Sequence, residues 1–113
     1  MKKVFLAFLF VAISAYISAC GTTIPIPQEK DVVAMSKNFP NTKLSDLLRG
    51  RELYVRKCSG CHTLKNPSDF TSAQWEQDIP DMKTKAKIKD DEAQAILLYV
   101  LAYAKDSNQI SSR

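Results

Sequence analysis

Cys58-Ser59-Gly60-Cys61-His62 is the stretch that leaves this chain the fewest choices. Two thiols three residues apart on a helical turn reach the two vinyl groups on one edge of a single porphyrin, and each adds to one of them. The histidine that follows is then held over the iron, where an imidazole nitrogen serves as the proximal ligand. Ser59 and Gly60 are small enough for the backbone to lie against the macrocycle edge. Other uses of these residue types fit less well. A structural zinc needs four ligands, and three Cys with one His leave none to spare if Cys20 is engaged elsewhere. A thioredoxin-like C-x-x-C sits beside a βαβ pattern, and no strand alternation surrounds this one. Chance occurrence is the remaining alternative. The motif predicts one covalently attached haem c, with Cys58 and Cys61 as thioether residues and His62 as the proximal iron ligand.

The N-terminus names a compartment. Lys2 and Lys3 precede an apolar run from Val4 to Ile13, and small residues follow to Ile17-Ser18-Ala19-Cys20-Gly21. The run is short for a bilayer span and has the shape of a signal-peptide core. Ile-Ser-Ala-Cys resembles the lipobox of bacterial lipoproteins, which implies cleavage before Cys20 and lipidation of its thiol. The alternatives are an ordinary signal peptide with an incidental Cys, or an uncleaved anchor. More than one acyl chain gives durable anchoring. The expected location is a membrane surface facing the periplasm or another extracytoplasmic side, where c-type haem is attached in bacteria.

Residues 1–19 are thus expected as signal peptide, 20–43 as lipidated N-terminus and flexible tether, 44–106 as the haem domain and 107–113 as a polar tail. Pro25, Pro27 and Pro40 interrupt the second segment and favour extended backbone. A brief helical turn within Asp31–Asn38 would let Val32, Val33 and Met35 pack on the domain. A mature domain this short struggles to stabilise itself with an ordinary core. A bound macrocycle supplies large apolar faces to pack against, so poor folding without haem is expected. Of the net charge of +4, Lys2 and Lys3 supply two. No basic cluster is interleaved with aromatics, so nucleic-acid binding has no support.

The haem domain reads as helices. Ser45 is the expected N-cap of a first helix over 45–57, with Leu44, Leu47, Leu48, Leu53, Tyr54 and Cys58 as its apolar face. Gly50 inside it costs about 1 kcal/mol relative to Ala and marks either close approach of the last helix or simple tolerance. After the haem motif, Asn66-Pro67 signals a turn, and the Pro67 region is the nearest candidate to accept the second ring N–H of His62. Thr71 or Ser72 caps a short helix carrying Trp75, expected to stop by Ile79 before Pro80. Trp75 either contacts the haem, reaching a propionate through its indole N–H, or fills the core. Met82 follows and is the obvious sixth ligand, since no second His exists; Met35 or an open position are the alternatives. Lys83, Lys85, Lys87 and Lys89 read as a loop crossing the haem edge, either steering an acidic redox partner or simply solvated. Asp90, Asp91 and Glu92 open a last amphipathic helix running from Ala93 to Lys105, with Tyr99 and Leu98 poised to meet Gly50 and Tyr54. The tail from Ser107 is expected to fray.

In this order Gly50, Tyr54, Cys58-Ser-Gly-Cys61-His62, Trp75, Met82 and Tyr99 resemble the small bacterial members of the class I, mono-haem cytochrome c domain, over about residues 45–104. The resemblance implies an all-α bundle of three to four helices around one haem, with first and last helices crossing and Met82 as distal ligand. Two departures stand out: the Gly-Pro-x-x element between haem motif and Met is missing, and the His62–Met82 interval is short. The function so implied is single-electron transfer between redox donor and acceptor proteins, with no substrate chemistry of its own. A haem subunit of a larger oxidoreductase and a haem-based ligand binder are the other readings.

Overall fold

The computed structural model describes residues 3–4, 23–59 and 63–112, the side chains of 110–112 excepted. Within them are five helices: α1 (Glu29–Met35), α2 (Leu44–Cys58), α3 (Ser72–Ala86), α4 (Asp90–Ala102) and α5 (Ser107–Ser112). A single 3-10 turn, Pro67–Asp69, separates α2 from α3. No strand occurs among the described residues, so the all-α class holds. No helix among them is long and apolar enough to cross a membrane.

The N-cap of helix α2 lies two residues before the expected hydroxyl. Lys43, extended at φ −111° and ψ 158°, is the N-cap rather than Ser45. The Asp46 carboxylate accepts the Lys43 N–H at 2.8 Å, so the acid at the third helical position satisfies an otherwise orphaned donor. Leu47, Gly50, Leu53, Tyr54 and Cys58 are buried along one face, whereas Leu48 is 42% exposed. Helix α4 crosses α2 at Gly50. A Cβ there would fall inside the contact distance of the Ala95 carbonyl oxygen and 2.7 Å from the Tyr99 Cβ. The glycine therefore marks a close approach of two backbones. An exposed ion pair, Arg49–Asp91 at 2.7 Å, bridges the same two helices and contributes little.

Helix α3 corrects the expectation of a stop at Ile79. Thr71 and Gln74 form a capping box, the Thr71 hydroxyl accepting from the Gln74 N–H at 3.3 Å and the Gln74 side chain accepting from the Thr71 N–H at 2.8 Å. The helix then runs through Pro80 to Ala86. Proline removes one donor and crowds the carbonyl four residues back. Here Pro80 and Glu76 both face solvent, so water can satisfy the carbonyl, while Trp75 and Ile79 anchor the inner face. Helix α3 ends in a Schellman turn. Ile88 N–H reaches the Lys83 carbonyl at 3.0 Å and Lys87 N–H the Thr84 carbonyl at 3.4 Å, with Lys87 left-handed at φ 54° where glycine is usual. The lysines expected in a loop are therefore spread over a helix end, a cap and a helix start, and Lys83 pairs with Asp90.

Helix α4 starts at Asp90 and stops at Ala102, with Lys89 as N-cap donating its N–H to Glu92 at 3.1 Å. Lys105 lies beyond it, and its N–H goes to the Phe70 carbonyl at 2.8 Å. The polar tail forms α5 instead of an irregular end. Asp106, just before it, accepts both the N–H and hydroxyl of Ser72 at 2.7 and 2.8 Å.

The largest departure is the N-terminal segment. It was expected as a flexible tether, but from Thr23 onward it packs on the helices. Ile24 and Phe39 lie against the core and Met35 is part of it, 6% exposed. The brief helix expected there is α1, although Val33 points outward at 72% exposure.

Candidate haem site

Cys58 is the final residue of α2 and is buried, 7% exposed. It belongs to one apolar cluster with Leu53, Tyr54, Trp75, Ile79, Ile88, Ile96 and Val100. Helix α2 thus delivers the first thiol of the motif into the core, one helical turn beyond Tyr54. Gly60, Cys61 and His62 lie outside the described residues, as does Cys20. The donor chemistry fits a thioether-linked macrocycle: a thiol at a helix end, bordered by aliphatic and aromatic side chains, with no buried polar side-chain atom left unsatisfied among the described residues.

An aromatic row organises this region. Tyr54 meets Trp75 edge-on at 6.0 Å between centroids, Trp75 meets Phe70 at 5.1 Å, Tyr54 meets Tyr99 at 5.8 Å and Tyr99 meets Tyr103 at 5.3 Å. Such packing adds to plain burial. Trp75 is 2% exposed and donates its indole N–H to the Pro67 carbonyl at 2.9 Å. Its polar edge therefore fixes the loop after the haem motif, in the Pro67 region expected to accept from His62. Tyr54 fixes the same loop, giving its hydroxyl to the Lys65 carbonyl at 2.5 Å. Burial, with the Cys58 charge next in size, pushes the Tyr54 phenol well above its ordinary range.

Met82 sits on α3, not in a loop, and is half-buried. It follows Trp75 and Ile79 at helical spacing, one turn beyond the buried cluster, on the face that carries both. Met35, the other candidate sulfur, fills the core between α1 and the rest. Sequence reasoning missed Arg51, Asn66 and Tyr103. All three bind the N-terminal segment, and no local motif announces a partner so distant in the chain.

Three comparisons bear on this arrangement. The family model described as "Dihaem cytochrome c" matches residues 54–113, which include the single C-x-x-C-H motif. The cytochrome c-type protein TorY of Haemophilus influenzae is 35% identical over 57 residues, covering 50% of this chain and 16% of that protein. The chain thus spans less than a fifth of the curated relative it matches. No solved structure matches it. The class I, mono-haem assignment drawn from motif order is corrected by this family match. A buried Cys58 at the end of α2, the motif it opens and a match over more than half the chain converge: this protein is a c-type cytochrome, a haem-binding electron-transfer protein of the dihaem cytochrome c family.

Proposed function

We propose that the protein is a membrane-anchored mono-haem cytochrome that carries single electrons between extracytoplasmic redox partners, without catalysing a reaction of its own. The observation that carries this reading is Cys58, a thiol in the apolar cluster at the end of a rigid helix, opening the one attachment motif in the chain. Two haems would need a second pair of Cys and a second His, and the 113 residues hold three Cys and one His. One haem c is therefore assigned to these residues.

Cys58 and Cys61 would hold the haem, with His62 as its proximal and Met82 as its distal ligand. Haem c supplies a one-electron couple at its iron. The chain's part is to fix the ring by two bonds and wall it with Trp75, Ile79 and Val100 against water. Cys20 is the lipidated residue, which puts the domain on a membrane surface facing the periplasm or another extracytoplasmic side. A second reading has one observation in its favour. A similar segment makes up 16% of a larger cytochrome, so this domain also suits an anchored subunit of an oxidoreductase assembly.

Absorption spectra of the matured protein, with and without carbon monoxide, test the electron-carrier reading. A low-spin reduced spectrum, a far-red sulfur-to-iron band when oxidised and indifference to carbon monoxide are expected. Met82→Ala is expected to become high-spin. A wild type that is already high-spin and binds carbon monoxide is a ligand binder, with Met82 off the iron.

A further inference from the structure

The segment after Cys20 is held down at its first described residue. Asn66 Nδ2 donates to the Thr23 carbonyl at 3.2 Å. Arg51 donates through Nε to the Pro25 carbonyl at 2.9 Å and through a terminal nitrogen to the Ile24 carbonyl at 3.4 Å. The buried Tyr99 donates its hydroxyl to that same Pro25 carbonyl at 2.7 Å, and Tyr103 donates to the Asp31 carboxylate at 2.7 Å. Pro27 is buried and Met35 closes the run in the core. Arg51 of α2, Tyr99 of α4 and Asn66 of the post-motif loop thus clasp one extended stretch, whose prolines suit it to lie flat without wasting N–H donors, and Tyr103 at the end of α4 ties down the helix α1 that follows it. Asn66 is four residues from His62 in the sequence.

We propose that this strap fixes the haem domain directly on the bilayer surface, loop 63–66 toward the lipid, so that it serves a redox partner embedded in the same membrane. This rests on lipidation of Cys20. Three residues from Cys20 to Thr23 span at most about 11 Å, against about 80 Å for the 24 residues to Leu44 if the segment were free. The bound strap removes most of that reach. Lys65, exposed beside Asn66, is brought to the level of lipid phosphates, which attract it. Exchange with a soluble carrier far from the surface is correspondingly disfavoured, and exchange within the plane of the membrane favoured.

The test uses full-length lipidated holoprotein in phosphatidylcholine vesicles carrying a headgroup-attached fluorophore, which the haem quenches in a distance-dependent way. A Gly-Ser insert of about ten residues after Thr22 adds roughly 18 Å of r.m.s. reach and leaves the clasp intact. Wild type is expected to quench several-fold more strongly than the insert variant, and Asn66→Ala is expected to fall between them. Equal quenching by wild type and insert variant overturns the proposal. Hydrogen exchange supplies the independent check: the clasp holds residues 23–25 by their carbonyls, so slow amides are expected in the helix it leads into, α1 (Glu29–Met35), and coil-like rates there also overturn the proposal. Intact mass separates the two levels. An unmodified Cys20 thiol sinks the anchoring assignment and this inference with it, whereas a lipidated Cys20 with equal quenching sinks this inference alone.

Discussion

Substituting Gly50 by Ala probes the crossing on which the haem site is built. In an exposed helix the change would stabilise by about 1 kcal/mol, because glycine is the poorer helix former. At this crossing the added methyl would lie 2.7 Å from the Tyr99 Cβ and 3.0 Å from the Ala95 carbonyl carbon. Carbon atoms rest at about 3.5–4.0 Å, so α2 and α4 must part by about 1 Å. Neither neighbour is the free end of a flexible side chain, and a close-packed interior does not absorb such a shift. Overpacking costs about 1–3 kcal/mol, and two backbone-level contacts put this site at the upper end. Subtracting the propensity gain leaves about 2 kcal/mol of net destabilisation. For a domain of this size that lowers Tm by roughly 8–16 °C. Far-UV circular dichroism melts of the holoproteins read it directly. A variant as stable as wild type, or more stable by the propensity term, means that the helices do not meet at Gly50.

Three further perturbations have defined outcomes. Trp75→Phe keeps one aromatic ring, trims the buried indole and leaves the Pro67 carbonyl without its donor, and is expected to cost at least about 1–2 kcal/mol in urea denaturation; an unchanged midpoint would mean that the bond to Pro67 is immaterial. Asp106→Ala removes the acceptor shared by the Ser72 N–H and hydroxyl and should cost a similar amount, about 1–2 kcal/mol, with a normal midpoint counting against it as the tie on the α3 start. Tyr99 is pushed up to about 12 by burial, partly offset by Arg51, and Tyr54 and Tyr103 are raised by burial as well. The folded state thus favours neutral phenols, so this stability is complete below the ordinary value of 10.0 and lost as pH rises through about 12. Tyrosinate absorbance and helicity should change together in that window; tyrosines that ionise near 10 with helices intact would contradict the burial.

What could be read from sequence depended on whether the deciding interaction was local. The acidic start of α4 depends on residues within a turn or two, whereas Gly50 left close approach and simple tolerance both open until Ala95 and Tyr99, far along the chain, decided for the first. Pro80 misled because a proline's cost is local while its offset is not. Trp75 and Ile79 hold α3 against the core, and solvent serves the freed carbonyl. Ser45 misled because a backbone N–H was capped from the acid side, by Asp46, where a hydroxyl at the cap was sought. The tether misled most. Its prolines do exclude a long helix, but extended backbone is also what Arg51, Asn66 and Tyr99 clasp from 26 to 74 residues away. Trp75 left haem contact and core packing both open in the sequence, and the partner of its indole, a carbonyl in the post-motif loop, is fixed by the fold.

The haem itself remains the point on which everything else turns, and intact mass spectrometry of the matured protein under denaturing conditions addresses it most directly. The expected mass is the processed chain plus one haem that survives unfolding, reverting to the bare chain when Cys58 and Cys61 are both changed to Ser. A chain that sheds its haem on unfolding, carries none, or carries two would contradict single covalent attachment at Cys58 and Cys61.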